Sequence, residues 1–442
     1  MQSEIERRTI RRIMWRLIPF MGLCYMINWL DRTNIGFAAL TMNKALGISA
    51  TVYGAAAGIF FLGYVICEVP SNLALAKVGG RIWIARILIT WGLLAAGMAL
   101  VSGERSLYVA RFLLGAAEGG FYPGVIYYFS QWVPSQYRAR MYGWFGACGA
   151  SALILSGPIA GYILQLEGVL GLAGWQWLFV IEGLPATILG LVCLRYLQDS
   201  PSRANWLAPD ERKWLADTLD RERNTLAAGG HISIWRAVLD WRILVLSGAY
   251  FFFGFGLYGV ALWMPQIIRE FGFTTVQIGY LTALPPICGT LWMIFWTWHS
   301  DYKNERQWHL VLTGLIGTSG LLLVAWQSSN IVLVMIGFCL TSIGAFTTFP
   351  IILTWPTAAL SGVTAAAATA VINCIGTSNG YFGAQLIGVL KDLTGDFRIA
   401  MLLTACGLFI APLLIFIFGS FLNIKIRDER SVTAVVKPID AR

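Results

Sequence analysis

The sequence predicts an all-α polytopic membrane protein, with twelve transmembrane helices in two six-helix bundles around a central cavity. Two observations carry this prediction: 57% of the 442 residues are hydrophobic and only 12% are charged, and long apolar stretches recur from one end to the other. An ordinary soluble domain carries roughly 25% charged residues. One helical crossing of a bilayer needs about 20 apolar residues. The composition therefore excludes a soluble globular protein.

The N-terminal bundle is predicted from six apolar runs joined by short loops. These spans cover 17–37, 51–76, 82–101, 107–129, 140–165 and 174–197. The longest polar stretch, 198–241, follows and is predicted to be a cytoplasmic linker. Within it, 207–223 has Pro209 near its start and acids in its first turn, which is typical of a helix N-terminus. Gly229-Gly230 is expected to end that helix.

Six further apolar runs predict the C-terminal bundle. They cover 242–268, 275–300, 308–327, 331–354, 362–390 and 397–424. The chain is thus divided into an N-terminal bundle (1–197), a linker (198–241), a C-terminal bundle (242–424) and a cytoplasmic tail (425–442). Six spans, a linker and six spans suggest an internal duplication.

The net charge of +9 reflects where the basic residues lie. Successive loops between spans lie on opposite sides of the membrane. On this basis the loops and termini of one side hold 25 basic residues and the loops of the other side hold 5. Cytoplasmic loops carry the excess of Lys and Arg, so both termini are expected in the cytoplasm. Membrane lipid is an expected partner and nucleic acid is not. The basic N-terminal tail leads directly into a full-length helix, so no cleaved signal peptide is expected.

Six charged residues lie well inside predicted spans, all in the first half of the chain. They are the acids Asp31, Glu68, Glu118 and Glu182 and the bases Arg32 and Arg111. At about 3 kcal/mol each, six lipid-exposed charges would cost roughly 18 kcal/mol, more than the stability of a typical domain. They must pair with one another or line a hydrated cavity, and the functional site is therefore expected in the first half.

The spacing of these charges predicts contacts between helices. Arg111 and Glu118 are seven residues apart, so they share one face of the fourth span about 10.5 Å apart along its axis. Gly115 lies between them and allows another helix to approach closely. Asp31 and Arg32 are adjacent, so they point about 100° apart and cannot pair with each other well. We expect arginine–carboxylate pairs between the first and fourth spans; a static network that only holds helices together is the alternative.

No metal, cofactor or catalytic centre is predicted. The eight cysteines all fall within apolar stretches and show no CxxC spacing, as expected for small buried side chains. His231, His299 and His309 have no ligand spacing and lie at or beyond span ends. An intramembrane enzyme needs a nucleophile–base pair or a metal cluster, and a sensor usually adds an output domain larger than this linker. Both classes remain distant alternatives.

Two basic, turn-containing loops accompany the six-plus-six arrangement. They are Lys77-Val-Gly-Gly-Arg81 and Ser300-Asp-Tyr-Lys-Asn-Glu-Arg306. Together these features resemble the major facilitator superfamily. The resemblance implies gating loops formed by Lys77, Arg81, Asp301 and Arg306. Ala76 stands where the family's loop motif usually carries an aspartate.

A narrower pattern combines Leu30-Asp-Arg-Thr-Asn34 with Arg111 and Glu118, and adds Gly174–Gly183 and Trp355-Pro356. It is similar to the anion:cation symporter family, in the bacterial branch with tartrate, sugar-acid and hydroxyphenylacetate transporters. The resemblance implies that Arg32 and Arg111 contact a substrate anion and that Asp31 and Glu118 carry protons. Further candidates for the substrate site are Asn373, Tyr25, Trp29, Tyr258 and Trp263. Asn373 is equally compatible with a role between helices, and Gly149 replaces the glutamine of a sugar-acid transporter.

The expected activity is import of a small organic carboxylate by alternating access, with protons as the coupling ion, no cofactor, and a monomeric state. Ionised Asp31 and Glu118 would compete with the substrate for Arg32 and Arg111, and protonation would free the two arginines. Transport of organic anions coupled to Na⁺, or by exchange, is the alternative. For Glu68 and Glu182, structural and functional roles both stay open.

Overall fold

The computed structural model describes residues 4–227, 240–303, 305–327, 329–359 and 362–435, and no strand occurs within these ranges. In chain order the helices are α1 (Glu4–Leu46), α2 (Ala50–Val78), α3 (Gly80–Gly97), α4 (Glu104–Glu118), α5 (Phe121–Ser130), α6 (Ser135–Ile163), α7 (Gly174–Tyr196), α8 (Pro209–Ala227), α9 (Trp241–Gly254), α10 (Val260–Arg269), α11 (Thr275–Lys303), α12 (Gln307–Trp326), α13 (Ile331–Ala359), α14 (Gly362–Thr377), α15 (Asn379–Thr394) and α16 (Arg398–Val435). A π-helical turn, Phe255–Gly259, joins α9 to α10. Gly229-Gly230 and His231 lie outside the described residues.

The all-α fold class is confirmed, but the count of twelve spans is not reproduced. Ten described helical stretches are long and apolar enough to cross a membrane. The fourth predicted span is divided into α4 and α5, of 15 and 10 residues. The eleventh is divided into α14 and α15, of 16 residues each. Each of these four helices is shorter than the about 20 residues of a full crossing.

The break in the fourth span has a local cause. Gly120 has a φ of 91°, in the left-handed region that favours glycine. A Cβ at Gly120 would lie only 2.5 Å from Ser71 Oγ, and one at Gly119 only 2.8 Å from the carbonyl oxygen of Tyr64. Only glycine fits this turn against α2, and α4 therefore ends at Glu118.

The described helices group into two compact units. The first comprises Met1–Gly229, Ala261–Pro286 and Gly380–Phe397, and the second comprises Gly230–Val260, Ile287–Asn379 and Arg398–Arg442. Two segments of the predicted C-terminal bundle thus belong to the first unit. There the Tyr53 hydroxyl donates to the carbonyl of Leu262 at 2.7 Å. The predicted domain boundaries at 197, 241 and 424 stay a prediction.

Backbone contact between α2 and α4 sets the geometry of the first unit. In the same unit, α3 packs on α7, and α1 packs on α6 and α7. A Cβ at Gly115 would lie 1.9 Å from the carbonyl oxygen of Phe60, and one at Gly63 would lie 2.3 Å from that of Phe112. The predicted close approach of another helix at Gly115 is confirmed, and that helix is α2. This choice of partner determines what Arg111 meets.

A buried carboxylate fixes the linker helix α8 to the first unit. Glu211 is fully buried and accepts hydrogen bonds from Arg8 Nε and Arg12 Nη1, each at 2.8 Å. It also accepts the backbone N–H of Ala208 at 2.9 Å, which caps the start of α8. The helix predicted over 207–223 is confirmed, and its anchors lie on the first turns of α1.

The second unit is built from close contacts between small residues. Within it α12 packs on α13 and α16, and α9 packs on α14 and α16. A Cβ at Gly320 would lie 2.4 Å from the carbonyl oxygen of Gly337, so the two helices meet at their backbones. Buried hydroxyls bond within their own helices: Thr341 donates to the carbonyl of Gly337 at 2.8 Å. Such packing is typical of helix pairs in membranes.

Candidate functional site

The centre of the candidate site is an ion pair between α1 and α4. Arg32 donates from Nε to Oε1 of Glu118, and only 10% of the Arg32 side chain and 1% of the Glu118 side chain are exposed. The Arg32 guanidinium lies over the rings of Tyr64 at 4.7 Å and Trp29 at 5.6 Å. Aromatic faces attract a cation, and a weakly hydrated guanidinium suits such surroundings. The predicted pairing of the first and fourth spans is formed by these two residues.

Several buried polar atoms beside this pair have no protein partner in the described part of the chain. They are Asn28 Nδ2 and Oδ1, Glu118 Oε2 and Arg111 Nη1. Asn28 lies one turn before Arg32 on α1, and its amide faces the Glu118 carboxyl. Buried polar groups in proteins are nearly always satisfied by protein, water or ligand. These atoms are therefore able to bond to water or to a bound anion.

Arg111 lies in a different environment from Arg32. It is 1% exposed, and its Nε and Nη2 donate to the carbonyls of Ala56 at 3.3 Å and Ala57 at 3.5 Å. Its guanidinium lies 4.7 Å from the centre of the Phe60 ring. No described carboxylate comes within 4.0 Å of it, so the expected ion pair between Arg111 and a carboxylate is not formed. The close packing of α4 on α2 turns this side chain toward the α2 backbone.

Asp31 points away from Arg32, as its adjacent position predicts. It is 1% exposed. Its Oδ2 accepts the indole N–H of Trp91 at 2.6 Å, and its Oδ1 accepts Asn34 Nδ2 at 3.1 Å. Glu182 on α7 is also buried and approaches the same Asn34 amide. Sequence reasoning missed Trp91 and Asn34; Asn34 stood in the quoted motif, whereas a single tryptophan in an aromatic-rich chain gives no such signal.

The aromatic candidates of α1 pack against α6. Tyr25 is buried and stacks on Phe145 with ring centres 4.4 Å apart. Gly149 makes room for this arrangement, because a Cβ there would lie 2.5 Å from Tyr25 Cε1 and 2.9 Å from Trp29 Nε1. Trp29 is half-buried between this cluster and Arg32. The glycine that departs from the sugar-acid pattern thus admits two rings beside the ion pair.

The remaining substrate candidates are distributed over both units. Trp263 belongs to the first unit, is fully buried, and donates its indole N–H to the carbonyl of Ala384 at 3.1 Å. Tyr258 and Asn373 belong to the second unit and are half-buried. Trp263 therefore has the surroundings of a packing residue. Roles of Tyr258 and Asn373 toward a substrate stay predictions.

The predicted gating loops differ in their partners. Arg81 meets Asp199, which follows α7: the Asp199 carboxylate accepts the backbone N–H of Arg81 at 3.1 Å and lies 3.4 Å from its Nε. Asp199 thus supplies an acid to the turn in which Ala76 replaces one. Lys77 is exposed. In the other loop, burial lowers the pKa of Arg306 and the neighbouring Asp301 carboxylate partly offsets this effect.

Two histidines without ligand spacing in the sequence meet where α11 and α12 join. His299 Nδ1 and His309 Nε2 are 2.8 Å apart, and His309 Nδ1 lies 2.6 Å from Glu305 Oε2. The contact joins the end of α11 to the start of α12, which no periodic pattern within one helix reveals. The facing ring nitrogens are occupied by each other, and no cluster able to hold a metal ion is found among the described residues.

Comparison with known proteins identifies the family. The profile described as Major Facilitator Superfamily matches residues 21–384. The chain belongs to the Major Facilitator Superfamily. Among solved structures, a bacterial homolog of the human lysosomal transporter Spinster matches with a TM-score of 0.73, covering 91% of this chain and 96% of that one. At 16% identity this likeness shows the fold alone.

Sequence relatives of this superfamily member are transporters. A protein of Agrobacterium vitis named "Putative tartrate transporter" is 47% identical over 397 residues, which cover 90% of this chain and 91% of the relative. A "Quinolone resistance transporter" of Acinetobacter baumannii is 37% identical over 440 residues, with 98% of both chains covered. This superfamily member is therefore a multi-pass membrane transporter and not an enzyme.

Proposed function

We propose that this transporter imports a small organic carboxylate together with protons across the bacterial inner membrane, by alternating access. The observation that carries the proposal is the buried Arg32–Glu118 pair, bordered by polar atoms for which the described residues supply no partner. A cation held by a titratable acid can exchange that acid for another carboxylate. The relative of A. vitis is named for tartrate, an anion of this class, and supports the choice of substrate.

Coupling would arise from competition for one guanidinium. While Glu118 is ionised it occupies Arg32, and a substrate carboxylate cannot bind there. When Glu118 takes up a proton its negative charge is lost, and Arg32 offers its planar fork to the substrate, which it can hold by two parallel hydrogen bonds. Protonation and anion binding then favour each other, as coupled sites must by thermodynamic linkage. Proton and anion leave together when Glu118 ionises again.

Arg111 has a fixed role in this scheme. Its bonds to the α2 carbonyls hold it in place, and its positive charge lies near Asp31 and Glu118 without pairing closely with either. It therefore balances the negative charge of the site in every state. The free Nη1 gives it one donor for a substrate or water.

Transport by purified protein in proteoliposomes tests the proposal. Labelled tartrate is offered first, followed by a panel of carboxylates, with an acidic exterior and no Na⁺. Accumulation above equilibrium that a protonophore abolishes is the expected result, and empty liposomes are the control. Accumulation that requires a Na⁺ gradient would contradict proton coupling and favour Na⁺-coupled transport. Accumulation that requires only an anion inside the vesicle would favour exchange. Because the A. baumannii relative is named for quinolone resistance, quinolone transport is the second candidate and belongs in the panel.

A further inference from the structure

A second acidic cluster lies in the first unit beside the proposed ion-pair site. Asn34 Nδ2 on α1 donates to Asp31 Oδ1 at 3.1 Å and also approaches the Glu182 carboxyl on α7. The three side chains are strongly buried, with 1% of Asp31, 2% of Asn34 and 5% of Glu182 exposed. The Asn34 amide thus bonds to Asp31 and lies beside a carboxyl group from a different helix.

The charges around this cluster do not balance when both acids are ionised. No described base lies within 4.0 Å of Asp31 or Glu182. The charged groups that act on Asp31 are Arg111 and Glu118 on α4, and the one that acts on Glu182 is Asp31 itself. Trp91 is the neighbour from α3 and carries no charge. Because Arg32 is taken by Glu118, Arg111 alone remains to balance two carboxyl groups.

Burial and hydrogen bonding indicate where the additional proton resides. Two carboxylates in one dry site cannot both stay ionised. Asp31 already accepts hydrogen bonds at both oxygens, from Trp91 and Asn34, which suits the ionised form. Glu182 Oε2 is buried and has no donor among the described residues. A proton on Glu182 removes its negative charge. The carboxyl group is then a hydrogen-bond donor, and it no longer needs donors from its neighbours to stabilise a charge.

We propose that Asp31 and Glu182, joined through Asn34, form a second proton site of the transporter, in which Glu182 carries a proton that is taken up and released in each cycle. The inference rests on the proposed proton-coupled function and adds to it. Asn34 is a positioning residue: it holds the two carboxyl groups at a distance at which the charge of one depends on the other. When Glu182 ionises, its proton passes to water on the side where the substrate is released.

The ratio of protons to substrate tests this inference most directly. The ratio is obtained in proteoliposomes from the electrochemical gradients at which net flux reverses. Glu182→Gln removes the carboxyl and retains its shape, so the ratio should fall by one proton per substrate while substrate counterflow is kept. Glu68→Gln is the matched control, because Glu68 is a similarly buried acid of the same unit outside the cluster, and its ratio should equal that of the wild type. An unchanged ratio in Glu182→Gln would overturn the inference.

If Glu182→Gln does not fold, a second variant and a second readout still test the inference. Asn34→Ala keeps both acids and removes the amide between them, so the pH profile of uptake should shift. An unchanged profile would count against the second proton site. Infrared difference spectra of the wild type between acid and alkaline pH should show the signal of protonated Glu118 and one further signal of a protonated carboxyl group. If the wild type moves substrate without protons, the proposed function itself fails. If it moves protons and Asn34→Ala behaves like wild type, only the second site fails.

Discussion

Arg32 and Arg111 are the same residue type in two different roles. Arg32 meets a carboxylate and aromatic faces, and in the proposed mechanism a substrate carboxylate takes the place of Glu118. Arg111 donates to two consecutive backbone carbonyls of α2, which no substrate replaces. We therefore assign the exchange with substrate to Arg32 in the proposed mechanism. Its planar shape matters as much as its charge, because a lysine can neither stack on Tyr64 nor form a two-bond fork.

The substitution Arg32→Lys tests this role at the scale of one residue. It keeps the positive charge and loses the fork, and a hydrogen bond to a charged group contributes about 1.5–3 kcal/mol. We expect the KM for the carboxylate to rise at least about tenfold, since about 1.4 kcal/mol corresponds to a factor of ten. Initial uptake rates measured over a substrate range give the value.

A matched control is available in the same unit. Arg86 is half-buried and lies over the Trp83 ring at 4.2 Å, so Arg86→Lys removes a similar guanidinium away from the site. Its KM should equal that of the wild type. An Arg32→Lys variant with wild-type KM, or a rise of the same size in Arg86→Lys, would contradict the role given to Arg32.

At the scale of helices, the contact between α2 and α4 positions both intramembrane arginines. Gly115→Ala places a methyl group where only 1.9 Å separates it from the Phe60 carbonyl oxygen, so the two helices must move apart. Overpacking of this kind costs about 1–3 kcal/mol, and we expect a lower unfolding temperature together with weaker uptake. Thermal unfolding in detergent is the measurement.

Gly97 gives the control for this substitution. It lies in the last turn of α3, and nothing lies within 4 Å of an added Cβ. Gly97→Ala should leave the unfolding temperature equal or slightly higher, because alanine is the better helix former. If Gly115→Ala and Gly97→Ala changed the unfolding temperature equally, the close contact between α2 and α4 would not contribute to stability.

A carboxylate at the end of α15 makes a pH-dependent contact with the start of α2. Asp392 accepts the backbone N–H groups of Ala50 at 3.2 Å and Thr51 at 2.7 Å. Partial burial tends to raise the pKa of Asp392, but hydrogen bonds from the α2 N-terminus and Ser49 outweigh it, and its pKa lies below the ordinary value. A lowered folded-state pKa stabilises the fold above the unfolded pKa of about 3.9, and this stabilisation is lost as pH falls through the folded value.

Asp392→Asn should therefore lower the unfolding temperature at neutral pH, and its effect should shrink as the pH falls below the unfolded pKa of Asp392. A carboxylate at a helix N-terminus contributes about 0.3–1 kcal/mol, which sets the scale. Unfolding temperatures from pH 7 to pH 3 provide the measurement. Asp217→Asn removes an exposed carboxylate of α8 as a control. A difference between wild type and Asp392→Asn that stays constant over this pH range would refute the contact.

For the whole molecule, the sequence was sufficient for the fold class because membrane crossing imposes a length and a polarity on every helix. It was not sufficient for the division of the fourth and eleventh spans. The break at Gly119–Gly120 depends on how α2 packs against the turn, through Ser71 and Tyr64. Runs of apolar residues carry no information on that contact.

The candidate site was predicted in part for a similar reason. Burial of Asp31, Arg111 and Glu118 follows from their positions inside apolar runs, and helix geometry separates Asp31 from Arg32. Spacing alone did not reveal that α2 captures Arg111 or that Asn34 faces Glu182, since both depend on which helices are neighbours. Contacts within one helix, or between α1 and α4 as expected, could be predicted. Contacts with partners on α2, α3 and α7 could not.

The most direct measurement of the central claim compares two modes of transport in Glu118→Gln. Glutamine mimics the protonated acid and does not compete as an anion with the substrate for Arg32 in any state. We predict that proton-driven accumulation is lost while substrate counterflow, which needs no net proton movement, stays close to the wild-type rate. Accumulation that persists in the variant, or loss of both modes in protein that is folded, would contradict the account.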